Sequence, residues 1–264
     1  MDFLKRELAP LSRDAWEAID DRAKEVLTST LSVRKFAKMN GPMGFGFKAV
    51  NVGRLAVKES NGVNYGINQM LPLVEVRNNF TLNRWEMDNI SRGAKDIDLS
   101  SLEQAILKTV EFSENAVYSG LDEACILGLT KSTDHNHMTL GTTAGEILGN
   151  LSKAVLSLRD SFAGEGSYDL VVSEEIYTRL LSITEVSDFM GVIKSILHKG
   201  KVIVSKFLKG AILLPHNNEN IELTVGQDYS IGYQEHNEKE VKLYVTLTFT
   251  FRVTDPTLVV VFDK

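Results

Sequence analysis

The chain has 264 residues and a formal net charge of −6, from 29 Lys and Arg against 35 Asp and Glu. Its 43% of hydrophobic residues is too many for a disordered chain, and its acidic balance leaves no excess cation to neutralise a nucleic-acid backbone. The length permits one or two domains with enough buried surface to need no disulfide or metal staple.

Ser12 is placed to cap a helix reaching about residue 30, because Trp16, Ile19, Ala23 and Val26 recur on one helical face. The opposite face carries Asp20, Asp21, Arg22 and Lys24, so this helix needs a partner surface. Gly41-Pro42-Met43-Gly44-Phe45-Gly46 is turn-rich but no dinucleotide fingerprint, since the third glycine and the strand–turn–helix context are missing. Leu55-Ala56-Val57, Asn61-Gly62 and the alternating Val63, Tyr65 and Ile67 predict a long hairpin turning at Asn-Gly. Its arms are only half apolar, so it has little core of its own and is stable chiefly against something else.

Val74, Val76, Asn78 and Phe80 predict a strand leading into Trp85. A long helix then opens on the capping box Ser100-Ser101-Leu102-Glu103, presents Leu99, Leu102, Ile106, Val110, Ser113 and Val117 on one face, and stops at Gly120. Thr143 with Glu146 opens another helix through Ile147, Leu151, Val155, Leu158 and Phe162. A short strand is expected at 168–172, a helix capped by Ser173 as far as Leu181, and a further helix over 192–198. Strands follow at 202–205, 211–214 and 221–225. The longest, 241–253, sets Val241, Leu243, Val245, Leu247, Phe249, Phe251 and Val253 on one face. Lys242, Tyr244, Thr246, Thr248, Thr250 and Arg252 lie on the other. Residues 258–262 close the chain as a buried strand. Antiparallel strands mixed with long helices make an α+β fold.

Few residues invite catalytic chemistry. Asp134-His135-Asn136-His137 is the one segment with metal-ligand character, but zinc takes three or four ligands and no further Cys or His pair supports it. A solvated loop is the better reading. The single cysteine, Cys125, in the run Ala124-Cys125-Ile126-Leu127, reads as a buried thiol in a reducing compartment. No nucleophile elbow, Walker loop or His-Glu-x-x-His is present. The carboxylate pairs Asp20-Asp21 and Glu174-Glu175 fall on helix surfaces or first turns, where charge is ordinary. The charged start, Met1-Asp2-Phe3-Leu4-Lys5-Arg6, lacks the apolar centre of a signal peptide, and no stretch reaches the length of a membrane span. A cytosolic protein is therefore expected, and an enzyme is not indicated.

A set of short motifs adds a resemblance. The opening six residues with Ala9-Pro10-Leu11 are followed by Gly41-Pro42, Leu71-Pro72-Leu73 and Phe80-Thr81-Leu82 leading to Trp85-Glu86 and Asp88-Asn89. Arg92-Gly93, Asp98-Leu99-Ser100-Ser101-Leu102-Glu103, Gly226-Gln227-Asp228 with Ser230-Ile231-Gly232-Tyr233, and Thr248-Phe249-Thr250-Phe251 continue the series. Each is weak alone. Their nearly collinear run from first residue to last resembles the bacterial family 1 encapsulins, shell proteins formerly described as linocin-like bacteriocins.

The resemblance implies a Hong Kong 97-type phage capsid-like fold with P-domain, A-domain and E-loop. Residues 1–40 would form an N-terminal helical region facing the interior in place of a phage arm. Residues 41–75 would form the E-loop hairpin region, which lies across a neighbouring subunit. The P-domain would take 76–129 and 221–264, with its spine helix at about 100–119, and the A-domain 130–220, with a five-fold pore tip near 183–190. The implied function is that of a structural shell protein, self-assembling in the cytoplasm into a closed icosahedral nanocompartment of sixty copies. It would enclose a cargo enzyme, a ferritin-like protein or a dye-decolourising peroxidase, for iron storage or oxidative-stress defence. No catalytic residue, resident metal, membrane partner or nucleic-acid partner is implied.

Site residues follow by position. A C-terminal targeting peptide of the cargo would dock at Arg34, Asp228, Ile231 and Tyr233, its apolar side chains in a pocket with a charged rim. Ile231 and Tyr233 equally read as ordinary core residues of the P-domain sheet. Lys38 stands where an acidic residue is expected, so a basic cargo tail would be received differently here. Trp85 with Arg77 matches the position at which some members stack a flavin, FMN or riboflavin; packing of the hairpin root is the other reading of that tryptophan. Glu185, Ser187 and Asp188 would rim the five-fold pore, where gathered carboxylates favour cations such as Fe²⁺; a pore lined by backbone is the alternative. A phage or prophage major capsid protein, a flavin-binding oxidoreductase and a protease stand as rival functions. The short N-terminal helix counts against the first, and the missing nucleophile–base set against the protease.

Overall fold

A computed structural model describes residues 3–161 and 166–263; Met1, Asp2 and the expected helix residue Phe162 lie outside the described residues. The helices are α1 (Arg13–Thr30), α2 (Arg84–Ser91), α3 (Ser100–Ser119), α4 (Ala144–Asp160), α5 (Glu174–Ser182) and α6 (Phe189–Ile196). The strands are β1 (Lys38–Asn40), β2 (Ala49–Ser60), β3 (Val63–Pro72), β4 (Val74–Asn83), β5 (Met138–Thr139) and β6 (Tyr168–Ser173). They continue with β7 (Val202–Ser205), β8 (Ala211–Pro215), β9 (Ile221–Val225), β10 (Ser230–His236), β11 (Glu240–Val253) and β12 (Val260–Asp263).

Most boundaries obey local chemistry. The Ser12 hydroxyl accepts the Ala15 N–H at 3.1 Å and opens α1. Thr143 and Glu146 form a reciprocal capping box on α4, and Ser173 caps α5. The expected box at Ser100 is corrected: the cap position is Leu99, and the Ser100 N–H donates instead to the Asp98 carboxylate at 2.9 Å. Glu103 is drawn away to Arg22 of α1, 2.7 Å off, so it ties two helices together rather than closing its own. Helix α6 begins three residues earlier than its apolar pattern, because Asp188 accepts the Gly191 N–H at 3.2 Å and starts the helix there. It ends before His198, which takes a left-handed φ of 51°. Cys125 is exposed, not buried: it closes the 3₁₀ turn Asp122–Ala124 in a left-handed conformation, which turns Ala124 and Ile126 inward and the thiol outward.

Two five-stranded sheets form the body, and the hairpin stands apart. The first runs β1-β9-β11-β10, with β4 along the other edge of β11. Strands β9 and β10 are in effect one antiparallel partner of β11, interrupted at residues 226–229. The second sheet runs β5-β12-β8-β6-β7. The C-terminal segment therefore divides: 221–253 belongs to the first sheet and β12 to the second. Three pairings, β1/β9, β5/β12 and β6/β7, are parallel, so the sheets are mixed.

The second sheet is buried on both faces. Leu170, Val172, Leu213 and Phe262 pack against α4, α5 and α6. Val171, Ile203, Ile212 and Leu214 share a core with Leu247, Phe249 and Phe251 of the first sheet. A third core joins α1 and α3 to Phe80, Leu82, Ile231 and Leu243. Helix α3, about 30 Å long at 1.5 Å per residue, enters both of the cores that contain the first sheet. The threonine face of β11 is also covered, with Thr246, Thr248 and Thr250 all buried.

At the junction of these parts lies Glu114 of α3, almost wholly buried. Its carboxylate accepts the backbone N–H groups of Ser32 and Val33 at 3.1 Å and the Ser32 hydroxyl. The same hydroxyl lies 2.6 Å from Tyr118 Oη and 3.0 Å from Ser205 Oγ of β7. Burial pushes the Glu114 carboxyl above the usual glutamate range, against the downward pull of its donors. A raised folded-state value means that its contribution is present in full below the unfolded glutamate value, about 4.3, and is lost as pH rises through the folded one. Glu114→Gln is expected to destabilise by about 1–3 kcal/mol and to remove this step. Denaturation midpoints of wild type and variant should therefore differ by an amount that changes with pH in that window; a constant difference would refute the assignment.

Candidate functional site

The interruption between β9 and β10 builds the rim of a cleft. Thr248 holds both Gly226 and Gln227: the Gly226 N–H donates to its carbonyl at 2.9 Å, and its hydroxyl accepts the Gln227 N–H at 2.6 Å. A Cβ on Gly226 would come within 2.4 Å of that hydroxyl, so only glycine lets the strands approach here. Asp228 and Tyr229 are thereby lifted out of the ladder toward Arg34, which the turn after α1 presents from the opposite side. Arg34 meets the Asp228 carboxylate with both terminal nitrogens, one at 3.1 Å, and its guanidinium lies 5.2 Å over the Tyr229 ring. Tyr229 hydrogen-bonds Ser113 at 2.7 Å, and burial pushes its phenol up.

Behind this rim is a cleft of about 620 Å³ between α1, α3 and β10. Ala23, Leu27 and Leu31 line one wall and Ile231 and Val245 the other. Arg34, Asp228 and Ile231 are thus brought together, and Ile231 is at once a lining residue and a member of the core. Tyr233 is not part of the cleft wall. Its N–H donates to the Leu4 carbonyl at 2.8 Å, and the chain at Leu4 forms the wall there instead. Helix α1 takes part through Ala23, Leu27 and Leu31, whose spacing of four marks a stripe along that helix.

Trp85 and Arg77 do not meet within the chain. Trp85 stands 70% exposed on the first turn of α2, so it does not pack the hairpin root. Arg77 lies about 20 Å back along β4 at 3.3 Å per residue, in a separate cleft with Phe3, Tyr233 and Tyr244. Its guanidinium stacks 4.4 Å over the Tyr244 ring and pairs with Glu75 at 3.2 Å. One chain alone therefore does not fit a flavin between these two residues.

Glu185, Ser187 and Asp188 are all exposed in the segment before α6. Asp188 is partly committed, since it caps the helix, while Glu185 and Ser187 sit on the loop. Among the described residues no group of three or more His, Cys, Asp or Glu is placed to hold a metal. His135 bonds the Thr257 carbonyl at 2.7 Å, and His137 the Asp263 carboxylate at 3.0 Å. No described helix is long and apolar enough to cross a membrane.

The hairpin of β2 and β3 carries a different kind of site. Asn61 and Gly62 both take positive φ, as a tight two-residue hairpin turn requires. Leu55, Val57, Val63, Tyr65, Ile67 and Met70 are all exposed along its arms, Val57 at 72%. So much apolar surface on one element marks an interaction face.

Residues 1–250 match the family described as "Encapsulating protein for peroxidase". The type 1 encapsulin shell protein of Rhodospirillum rubrum is 32% identical, covering 97% of this chain and 94% of that protein. That of Mycobacterium tuberculosis is also 32% identical, over 95% of each chain. Among solved structures, a virus-like particle from Pyrococcus furiosus superposes with a TM-score of 0.67 at 18% identity, over 94% of this chain and 98% of its own. A phage-related protein from Bordetella bronchiseptica does so with a TM-score of 0.60 at 11% identity, over 94% and 96%. The structural likenesses carry the phage capsid fold, and the full-length relatives are shell proteins by name. With its matching motifs, its capsid-type sheets and its unpartnered apolar hairpin, the chain belongs to the encapsulin shell-protein family and is a shell-forming protein.

Proposed function

We propose that sixty copies of this chain close into an icosahedral compartment in the cytoplasm and that the cleft beneath Arg34 and Asp228 receives a targeting peptide of an enclosed enzyme. The observation that supports this most is the chemistry of the cleft. Its walls are apolar side chains from α1, α3 and β10, while its rim carries an oriented ion pair. Such a cleft buries Leu or Ile side chains and fixes the direction of the peptide through charge. A ferritin-like protein or a dye-decolourising peroxidase is the cargo proposed, for iron storage or oxidative-stress defence. Leu27→Asp and Arg34→Ala should each lower the protein co-purifying inside the shells by about tenfold or more, with shell diameter unchanged. Cargo retained at wild-type stoichiometry in both variants would overturn the reading.

The exposed Trp85 favours a second proposal, a flavin (FMN or riboflavin) stacked on the indole and completed by a neighbouring subunit. Purified shells would then be yellow, and Trp85→Ala would abolish the visible flavin absorbance. Colourless wild-type shells would leave Trp85 as a contact between copies.

At the five-fold axis, five copies of Glu185 and Asp188 would present carboxylates to an entering cation. Glu185→Gln with Asp188→Asn keeps an N-capping side chain on α6 and should slow uptake of Fe²⁺ by about tenfold, read as the rate of ferrous-ion oxidation in cargo-loaded shells. An unchanged rate with intact shells would sink the proposal.

A further inference from the structure

A second cleft, of about 990 Å³, lies on the far side of Arg34, between the end of α1, the turn that follows it and the free edge of β7. In a chain of net charge −6 its lining is unexpectedly cationic. Lys35 comes from the turn after α1, Lys194 from α6, Lys199 and Lys201 from the α6–β7 turn, and Lys206 from the end of β7. All five are exposed. Among the described residues none of them lies in an ion pair, whereas Arg34 is neutralised by Asp228. Glu174 is the one carboxylate in the lining.

The arrangement is built rather than incidental. Asp169, fully buried, accepts the Lys201 N–H at 2.9 Å with one oxygen and lies 2.5 Å from His216 Nδ1 with the other. That fixes Lys201 and the His216 ring in the wall. His198 and Lys199 take left-handed φ in succession, 51° and 68°. Each costs about 1 kcal/mol or more for a residue with a side chain. Gly200 then packs so closely that a Cβ would sit 1.7 Å from the Tyr168 carbonyl oxygen. The chain accepts strain at this turn and thereby sets Lys199 and Lys201 on the cleft.

We propose that this cleft binds a compact anion of several linked phosphoryl groups, a short inorganic polyphosphate or a nucleotide polyphosphate. Five unpaired ammonium groups around one concavity repel one another, and a multivalent anion turns that repulsion into attraction. Lysine is a point charge with three donors, suited to phosphoryl oxygens in any orientation. The cleft is several times larger than one phosphate group needs, so a chain of phosphoryl groups fits it better than orthophosphate. The lysines also surround the space from four segments instead of lining one strand edge, which favours a compact polyanion over an extended acidic peptide. Binding here does not depend on a peptide in the neighbouring cleft, although the two clefts share Arg34 and Lys35.

Titration calorimetry on assembled shells at physiological ionic strength tests the proposal, with tripolyphosphate, metal-free ATP and orthophosphate as probes. Tripolyphosphate should bind saturably, once per chain and more tightly than orthophosphate. Lys199→Gln with Lys201→Gln should weaken it by about tenfold or more, which is about 1.4 kcal/mol or more. Lys194→Gln with Lys206→Gln, on other segments, should do the same. Lys95→Gln with Lys239→Gln, outside the cleft, should change nothing. ATP binding as tightly as tripolyphosphate would mean that the phosphate chain alone is read; tighter ATP would identify a nucleotide. Unsaturable binding, or equal loss in the control pair, overturns the site. So does an oligoglutamate peptide that displaces tripolyphosphate at lower concentration, which would make the ligand an acidic peptide. Absent wild-type binding combined with lost assembly in both cleft variants would make the cleft an interface between copies.

Discussion

The buried carboxylate of Glu114 is the constraint on which the rest of the chain's geometry turns. Taking such a group out of water costs several kcal/mol unless donors meet it. Here they come from the first residues after α1, Ser32 and Val33, with Tyr118 and Ser205 closing the hydroxyl network around Ser32. One acid thus locks the long helix α3, the exit of α1 and the edge strand β7 at a single point. Arg34 follows immediately in the chain, so its place between two clefts is a consequence of that lock. The apolar cleft opens on one side of it and the lysine-lined cleft on the other.

Rigidity is distributed unevenly, and the distribution suits a shell. The two sheets share one core through Ile212, Leu214, Phe249 and Phe251, so the body behaves as a single wall segment. The β2–β3 hairpin has no such core, and its apolar side chains lie open. Burying each of them fully would be worth about 1.5–3 kcal/mol. A shell-forming chain has in such an open apolar face the kind of surface that association can bury. Repulsion between acidic chains works against that, but at physiological salt it is screened beyond about 8 Å, while apolar contact is not.

Charge illustrates how little an average says. The net value of −6 excludes a basic nucleic-acid binder, yet it coexists with five unpaired lysines around one concavity. Lys35 is separated from Lys194–Lys206 by well over a hundred residues of chain. Their convergence follows from β7 lying at the end of the second sheet, opposite the turn after α1.

Local patterns were readable wherever a residue acts on its own neighbours. Ser12, Thr143 and Ser173 cap the helices they precede, Asn61-Gly62 turns the hairpin, and the alternation of 241–253 produces β11. The motifs around Gly226-Gln227-Asp228 pointed to the family and to three residues that do share a cleft. What escaped was decided by distant partners. Glu103 left its own helix end for Arg22, eighty-one positions away in the chain. Tyr233 was taken by the backbone of Leu4, and Arg77 by Tyr244 and Glu75 instead of Trp85. Short strands such as β1 and β5 have too few residues to show a period and exist because a neighbouring strand offers hydrogen bonds. Periodicity and capping act within a few residues, so they can be read along the chain. Ion pairs, clefts and edge pairing act across space and appear only when the chain has folded.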